Sequence, residues 1–241
     1  MDFSRRHLAE CGSTNTEALK HLRDGGGPLL LSAGRQTAGR GRLGRAWQSG
    51  EAALMFSVAI TLPAALDLSG LSLAVGCAVA DALDPAGGRI RLKWPNDLFL
   101  DGAKLGGILI ETVPLPADRR GVVIGIGINL QPLSADADRS AFASGHAALQ
   151  TLDPAATAAA TLDRLAPALR ALLADFETLG FAPWQPAFAR RDLTLNQRVR
   201  VGGQPGIARG VSARGELLLE TAAGIAPLSG GELSLRLETH P

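Results

Sequence analysis

Residues 90–113 read I-R-L-K-W-P-N-D-L-F-L-D-G-A-K-L-G-G-I-L-I-E-T-V, and this stretch predicts the hairpin around which the fold is organised. The Asp-Gly pair at 101–102 lies between two apolar runs, which is typical of a two-residue hairpin turn. If that turn forms, Phe99 lies opposite Lys104, and Asp97 shares their sheet face because side chains alternate along a strand. The sequence therefore predicts that Lys104 and Asp97 are neighbours.

The segments around this hairpin alternate between strand-like and helix-like patterns. Strands are predicted near residues 3–8, 29–31, 54–62, 90–92 and 122–128. A first helix is predicted from Thr14 to about Arg23, and Thr14 and Glu17 have the spacing of a capping box. A second helix is predicted along 71–82. A third is predicted from the Asp153-Pro154 pair through Phe176, and Pro167 should kink or divide it. From about Leu193 the pattern changes to short strands separated by Gly turns. We expect an α/β domain over residues 1–192 and a small β-barrel over 193–241.

Composition excludes several classes of protein. The 241 residues include 24 Lys+Arg and 23 Asp+Glu, a formal charge of +1, which argues against a basic nucleic-acid coat and an acidic tail protein. Cys11 and Cys77 are too far apart in sequence to suggest a disulfide scaffold or a zinc cage. The first ten residues contain no apolar run for a signal peptide, and the longest apolar region is interrupted by polar residues. We therefore expect a cytoplasmic protein without a membrane span.

Residues 35–45, R-Q-T-A-G-R-G-R-L-G-R, contain four arginines and no acid. Glycines let a backbone approach a ligand closely, and guanidinium groups bind phosphate or carboxylate oxygens, so this loop predicts an anion site. The spacing at 39–44 matches a dinucleotide-binding pattern, but a β-like run follows instead of a helix. A P-loop is excluded because Arg45-Ala46 stands where Lys-Ser/Thr is required. A basic surface loop without a ligand and an RNA-binding loop stay open as alternatives.

Three other segments carry polar groups at strand or helix ends. Residues 93–97, K-W-P-N-D, bring together a cation, an amide and a carboxylate, and the glycines at 106–107 would let a ligand lie against the strand. Residues 125–129, G-I-G-I-N, form a glycine-containing strand that ends in an amide. The polar run at 13–15 is better explained by helix capping than by ligand binding. All four histidines lie outside these segments, which gives a Ser-His-Asp hydrolase or a His-rich metal site little support.

Taken in order, six segments closely resemble biotin protein ligase. They are C-G-S-T-N at 11–15, the arginine-glycine loop extended to Trp47, K-W-P-N-D-L at 93–98, K-L-G-G-I-L-I-E at 104–111, G-I-G-I-N-L at 125–130 and G-G-E-L-S-L-R at 230–236. The resemblance implies a catalytic α/β domain with a mixed sheet, followed by an SH3-like β-barrel. It also implies ATP- and Mg²⁺-dependent formation of biotinyl-5′-AMP from biotin, and transfer of biotin to a lysine in the biotin carboxyl-carrier domain of acetyl-CoA carboxylase or a related carboxylase.

The resemblance also implies roles for individual residues. The residues implied to contact biotin are Ser13, Thr14, Asn15, Gln36, Arg40, Gly41, Arg42, Lys104, Gly106 and Gly107. Those implied to contact ATP are Arg40, Arg42, Lys93, Asn96, Asn129 and Arg236. Lys104, Arg42 and Lys93 are implied to act in catalysis, and no residue is assigned to adenine stacking or to the metal. Asp97 either assists the transfer step or only orients Lys93 or Lys104.

Two rival functions remain beside this resemblance. Lipoate protein ligase shares the fold and the acyl-adenylate chemistry, but the R-G-R loop and K-W-P-N-D favour biotin. A non-catalytic RNA-binding module is disfavoured by the charge of +1, the absence of tyrosine and an aromatic content of 4%. Some relatives carry an N-terminal helix-turn-helix module, whereas only ten residues precede Cys11, so we expect no specific DNA binding. A homodimer is left open.

Overall fold

A computed structural model describes residues 2–47, 52–134, 144–229 and 235–237. Its main sheet contains β1 (Ser4–Cys11), β2 (Leu29–Gln36), β3 (Ala53–Pro63), β4 (Ile90–Lys93), β5 (Asp97–Leu100), β6 (Ala103–Leu115) and β7 (Arg119–Asn129). The spatial order is β1-β2-β3-β7-β6-β5-β4. Only β1 and β2 run parallel among the described pairs of this sheet, so the mixed sheet predicted from the sequence is confirmed.

The hairpin predicted from the Asp-Gly pair forms between β5 and β6. Asp101 and Gly102 both adopt positive φ, at 50° and 84°, as a two-residue turn of the primed type requires. Phe99 pairs with Lys104, as predicted. Lys104 Nζ lies 2.6 Å from Asp97 Oδ1, which confirms that the two side chains are neighbours.

Helices cover both faces of the main sheet. They are α1 (Thr14–Arg23), α2 (Leu71–Leu83), α3 (Ala158–Leu179) and α4 (Gln185–Arg191). Along β3, Val58 and Ile60 enter the core that contains α2 and α3, whereas Ala59 enters the smaller core beneath α1. Alternating side chains therefore anchor helices on opposite faces. Within the described residues, no helix is both long and apolar enough to cross a membrane.

Two helix starts differ from the sequence prediction. Ser13 precedes α1, and no side chain caps that helix; the Thr14 hydroxyl instead donates to Gln36 Oε1 at 3.1 Å, so the predicted capping box is wrong. The helix α3 begins after Thr157, whose Oγ1 accepts from Ala160 N at 3.2 Å, rather than at the Asp153-Pro154 pair. It then runs through Pro167 as one helix, because apolar residues on both sides of the proline are buried in the core.

The C-terminal part forms a second, antiparallel sheet. Its strands are β8 (Arg198–Val201), β9 (Gln204–Val211), β10 (Leu217–Thr221), β11 (Gly224–Leu228) and β12 (Leu235–Leu237), in the order β11-β10-β9-β8-β12. The sequence pattern does not predict β11, because its side chains are mostly exposed and do not alternate. It also does not predict the seven-residue helix α4. The predicted boundary at 192/193 falls between α4 and β8, and residues 230–234 of the segment G-G-E-L-S-L-R lie outside the described residues.

The two sheets are joined through polar contacts to the 93–97 segment and α4. Trp94 is buried, and its Nε1 donates to Gly215 O at 3.0 Å. Gln185 Nε2, at the start of α4, donates to Val211 O at 2.6 Å. The second sheet therefore packs directly against the segment that carries Lys93 and Asp97.

A buried ion pair holds the end of α4 against the main domain. Arg191 is 4% exposed, and its guanidinium donates to Asp84 O at 2.7 Å and to Ile90 O at 3.0 Å. It also lies 3.4 Å from Asp84 Oδ2. Burial alone raises the pKa of Asp84, but hydrogen bonds from the Ile90 and Arg89 N–H groups and the charge of Arg191 hold that pKa below its ordinary value.

Replacing Arg191 with alanine should destabilise the fold by about 3–5 kcal/mol, because it leaves a buried carboxylate without its cation and two buried carbonyls without donors. The neighbouring Arg190 is exposed, and Arg190→Ala should change the free energy of unfolding by no more than about 0.5 kcal/mol. Urea denaturation of both variants measures the difference. Equal losses for the two variants would contradict this role for Arg191.

Candidate active site

A cavity of about 820 Å³ lies where the start of α1, the arginine-glycine loop, the 93–97 segment and the glycine-containing strands β6 and β7 meet. Five cationic side chains line it: Arg40, Arg42, Arg45, Lys93 and Lys104. Among the described residues that line it, Asp97 is the only acid. A cleft with this excess of positive charge attracts anions, as the loop sequence predicts.

A buried polar cluster forms one end of the cleft. Thr14 N donates to Gln36 Oε1 at 2.6 Å, which fixes the Gln36 amide against the first turn of α1. Ser57 Oγ, on β3, donates to Asn15 Oδ1 at 2.6 Å and lies 2.7 Å from Thr14 Oγ1. Ser13 is buried beside them. These hydroxyls and amides bind one another across elements instead of capping the helix, so helix capping does not explain them, and their contact with a ligand stays a prediction.

The sequence pattern does not identify Ser57, and it does not explain why residue 125 is glycine. Ser57 lies in the middle of an apolar strand, and its polarity is the only feature of the sequence that sets it apart from its neighbours. Gly125 is recognisable as a strand glycine, but the reason for it is tertiary: a Cβ there would lie 2.2 Å from Asn15 Oδ1. Glycine at 125 is therefore required for Asn15 to reach Ser57.

Lys104 and Asp97 face the cleft at the end of the β5–β6 hairpin. Their ion pair is partly shielded, with side-chain exposures of 31% and 20%. Lys104 Nζ also lies 5.9 Å from the centre of a Trp47 ring. Lys93 Nζ lies 5.6 Å from the centre of the Phe99 ring, and Asn96 Nδ2 donates to Ile108 O at 2.9 Å. The structure therefore brings both lysines and Asn96 to the cleft.

The two arginines at 40 and 42 have different surroundings. Burial lowers the pKa of Arg42, and the nearby charge of Asp97 acts in the opposite direction. A partly desolvated cation gains more from an incoming anion than an exposed one does. Arg40 instead donates from Nη2 to both carboxylate oxygens of Glu111 at 3.0 Å. The sequence assigns no role to Glu111, because only the folded chain brings it to residue 40.

Three residues that the resemblance assigns to a ligand need separate comment. Gly106 and Asn129 have a structural role in the fold, and the side chain of Arg236 is outside the described part of the chain. A Cβ at Gly106 would lie 2.4 Å from Gly127 O, so this glycine permits strand packing rather than ligand approach. Gly107 does line the cleft, and its contact with a ligand stays a prediction. Asn129 is 3% exposed, and its Nδ2 donates to Lys104 O at 3.3 Å and to Ala147 O at 3.2 Å. Arg236 is placed only by its backbone in β12, so its contact with ATP stays a prediction.

Trp47 lines the cleft, although the sequence motifs assign it no role. Its indole lies against β6 and β7 at the positions of two glycines: a Cβ at Gly127 would lie 2.7 Å from Trp47 Cε2, and one at Gly107 would lie 3.3 Å from Cζ3. Trp47 N donates to Gly39 O at 2.9 Å, which brings the two ends of the loop together. The glycines of β6 and β7 thus make room for an aromatic wall of the cleft.

The substitution Gly127→Ala should force the Trp47 ring off the strand and lower the free energy of unfolding by about 1–3 kcal/mol, as overpacking does. Intrinsic tryptophan fluorescence should report the displacement, and the change should disappear in a Trp47→Phe background. Gly12→Ala is the control, because a Cβ at Gly12 meets nothing within 4 Å. Unaltered emission in Gly127→Ala would contradict this packing.

Comparisons with known proteins agree with this geometry. The biotin/lipoate A/B protein ligase family model matches residues 12–129, and the biotin protein ligase C-terminal domain model matches residues 194–236. The bifunctional ligase/repressor BirA of Escherichia coli is 39% identical over an alignment of 216 residues, and the match covers 83% of this chain and 64% of that protein. The chain thus spans less than two thirds of the length of that relative.

Two further similar proteins are covered almost completely. The biotin--[acetyl-CoA-carboxylase] ligase of Paracoccus denitrificans is 34% identical over an alignment of 249 residues, and the match covers 94% of this chain and 98% of that protein. The structure of biotin protein ligase from Aquifex aeolicus in complex with biotin and ATP has a TM-score of 0.83 and 28% identity, and the match covers 98% of this chain and 100% of that one. The chain belongs to the biotin protein ligases of the biotin/lipoate A/B protein ligase family.

Proposed function

We propose that the protein is a biotin protein ligase that forms biotinyl-5′-AMP from biotin and ATP and then transfers biotin to a lysine of a carboxyl-carrier domain. The observation that carries the proposal is a single cleft in which five cations surround one carboxylate, next to a buried cluster of hydroxyls and amides. The similarity to a biotin--[acetyl-CoA-carboxylase] ligase supports the substrate and the acceptor class. The similarity to a ligase in complex with biotin and ATP supports the nucleotide.

We assign the bicyclic ring of biotin to the polar cluster at the start of α1. A ureido group presents two N–H donors and one carbonyl acceptor, and the cluster supplies both kinds of partner. Thr14, Asn15 and Gln36 contribute hydroxyl and amide groups, and Ser13 is buried beside them. The valeryl chain then extends along Gly107 and Trp47 toward Lys104.

The first chemical step joins two anions. The carboxylate oxygen of biotin attacks the α-phosphorus of ATP, a new C–O–P bond forms, and the bond to the β-phosphate breaks to release pyrophosphate. A carboxylate is already ionised near neutral pH, so this step needs no general base. Arg42, Lys93 and Lys104 supply the positive charge that overcomes the repulsion and stabilises charge as it develops. Asp97 holds Lys104 at 2.6 Å, which supports positioning of this lysine as its role.

A magnesium ion fits the cleft as a companion of the nucleotide. No group of three or more His, Cys, Asp or Glu side chains within the described ranges is arranged to hold a metal, and Asp97 is the one described carboxylate of the lining. Mg²⁺ is commonly bound by one or two carboxylates together with substrate phosphates and water. When bound, the ion would neutralise phosphate charge. Asp97 is the residue of this chain that would contact it.

The transfer step has a different proton requirement. The acceptor lysine must lose a proton so that its nitrogen can attack the acyl carbon of the adenylate; an amide forms and AMP leaves. Asp97 is the only acid among the described lining residues, so it is the candidate to receive that proton directly.

Two further points concern the protein as a whole. A cytoplasmic location fits the proposed substrates. The end strand β1 of the main sheet offers an edge through which two copies could form a homodimer.

Pyrophosphate release by purified protein with Mg-ATP and either biotin or lipoate tests the proposed function. Release should occur with biotin, and Lys104→Ala should lower its rate about 10²–10³-fold, the usual effect of removing a group that stabilises developing charge. Lys20→Ala is the matched control, because this exposed lysine pairs with Asp24 on α1 outside the cleft. Release with lipoate alone would replace biotin as the substrate, and release with neither would sink the proposal.

Arg42→Ala should accelerate loss of biotinyl-5′-AMP from the protein, because the half-buried guanidinium then no longer holds the phosphate beneath the loop. Rapid filtration of protein loaded with labelled biotin and ATP measures retention of the adenylate. Arg35→Ala serves as the control from the same loop, since Arg35 is exposed and pairs with Glu10. Identical retention in both variants would argue against a sealing role for Arg42.

A further inference from the structure

One carboxylate joins three separate parts of the cleft wall. Glu111, on β6, accepts from Arg40 Nη2 at 3.0 Å with both oxygens and from Asn15 Nδ2 at 2.8 Å with Oε2. Arg40 Nη1 donates in turn to Thr16 Oγ1 at 2.9 Å. The arginine-glycine loop, the first turn of α1 and the strand β6 are thus held together by a single acidic side chain.

This contact differs from an ordinary surface ion pair. Glu111 is 28% exposed, and one of its donors, Asn15, is buried. The pair between Arg35 and Glu10 has a single hydrogen bond and exposures of 73% and 52%, so it is the kind of pair that contributes little. Glu111 receives donors from two elements, and the network continues into the polar cluster at the end of the cleft.

Glu111 also fixes which way the Asn15 amide faces. An ionised carboxylate only accepts hydrogen bonds, so it selects the NH₂ side of Asn15. The Asn15 Oδ1 atom is thereby directed to Ser57, which donates to it at 2.6 Å. Asn15 Nδ2 also donates to Leu109 O at 3.3 Å, so loss of the carboxylate would remove the shorter of the two contacts that select the amide orientation next to the ring site.

Both terminal nitrogens of Arg40 are engaged at this end of the cleft. Nη2 binds Glu111 on β6, and Nη1 binds Thr16 on α1. This arrangement assigns Arg40 to the ring site, although the sequence resemblance implies contacts with both biotin and ATP. The phosphate charge then falls to Arg42, Lys93 and Lys104.

We infer that Glu111 is a positioning residue: through Arg40 and Asn15 it holds the ring-binding end of the cleft in its binding geometry and sets the affinity for biotin without acting on ATP. The inference rests on the proposed function, because it names a residue that determines affinity for that substrate. It predicts a selective rise in the KM for biotin when the network is broken.

Pyrophosphate release measured over a range of biotin and ATP concentrations tests this inference. Glu111→Ala should raise the KM for biotin about tenfold, while kcat and the KM for ATP change by less than about twofold. Glu111→Gln has nearly the same shape and keeps one acceptor oxygen, so it should give a smaller rise in the same direction. The matched control is Glu10→Ala, which removes an exposed acid on β1 and should leave both KM values unchanged.

A double-mutant cycle separates positioning from general damage. Arg40→Met should raise the KM for biotin as Glu111→Ala does, and the combined variant should show no more than the larger single effect, because both changes break one network. Three outcomes would each overturn the inference. The KM values for biotin and ATP rise equally, the KM for biotin is unchanged in both Glu111→Ala and Glu111→Gln, or the effects of the two single changes multiply in the double variant.

The unaltered protein distinguishes this inference from the proposed function. If it releases pyrophosphate with biotin and the Glu111 variants keep its KM for biotin, the inference alone is wrong. If it releases none with biotin, the proposed function is wrong and the role of Glu111 falls with it.

Discussion

The structure depends on keeping several cationic side chains close together around one cleft. Two like charges 4 Å apart repel by about 4 kcal/mol at an effective dielectric constant of about 20, so such a cluster needs opposing contacts. The fold supplies two acids for this purpose: Asp97 pairs with Lys104, and Glu111 pairs with Arg40. Arg42 lines the same cleft in a partly buried position, where burial lowers its pKa. The cleft therefore keeps an excess of positive charge while two of its cations are held in place by carboxylates.

Glycine in the middle of the sheet makes room for the side chains that form the cleft wall. Gly125 makes room for Asn15, and Gly107 and Gly127 make room for Trp47. At these positions β6 and β7 carry no side chain that would occupy the same space. Glycine weakens strands, but the antiparallel pairing of β7 with β3 and β6 along most of its length offsets that loss. The same strand can therefore be both a central element of the sheet and the floor of the cleft.

The parts of the site that the sequence predicts are those whose partners lie near one another along the chain. The contact between Asp97 and Lys104 follows from one turn and from alternation along two strands, so the sequence alone is enough to derive it. Glu111 reaches Arg40 across 71 residues, and Ser57 reaches Asn15 across 42 residues. No local pattern encodes contacts of that separation, because they depend on how the sheet orders its strands.

Capping fails as a prediction for a related reason. Thr14 and Glu17 satisfy the local rule, but tertiary partners compete for the threonine hydroxyl, and Gln36 and Ser57 take it instead. A local rule overridden in this way is itself informative, because a helix start left without its cap lowers helix stability unless another contact compensates. For Asn129 the family resemblance implies a ligand contact, but the folded chain gives it a structural role. Its side chain is buried and donates to the Lys104 carbonyl, which helps to position the backbone of a lysine that lines the cleft.

The second sheet also helps to fix the segment that carries two of the charged side chains of the cleft. Trp94, inside the segment that carries Lys93 and Asp97, is fixed by a hydrogen bond to Gly215 O, and a Cβ at Gly215 would lie 2.6 Å from Gly70 Cα at the start of α2. Such a close backbone approach tolerates no side chain, so this contact between the turn and the start of α2 requires glycine at 215. Because Trp94 stands next to Lys93 and both line the cleft, the hydrogen bond to Gly215 ties the second sheet to the end of the cleft that Lys93 lines. The C-terminal sheet is thus a structural part of the site even though its strands lie outside the described cleft wall.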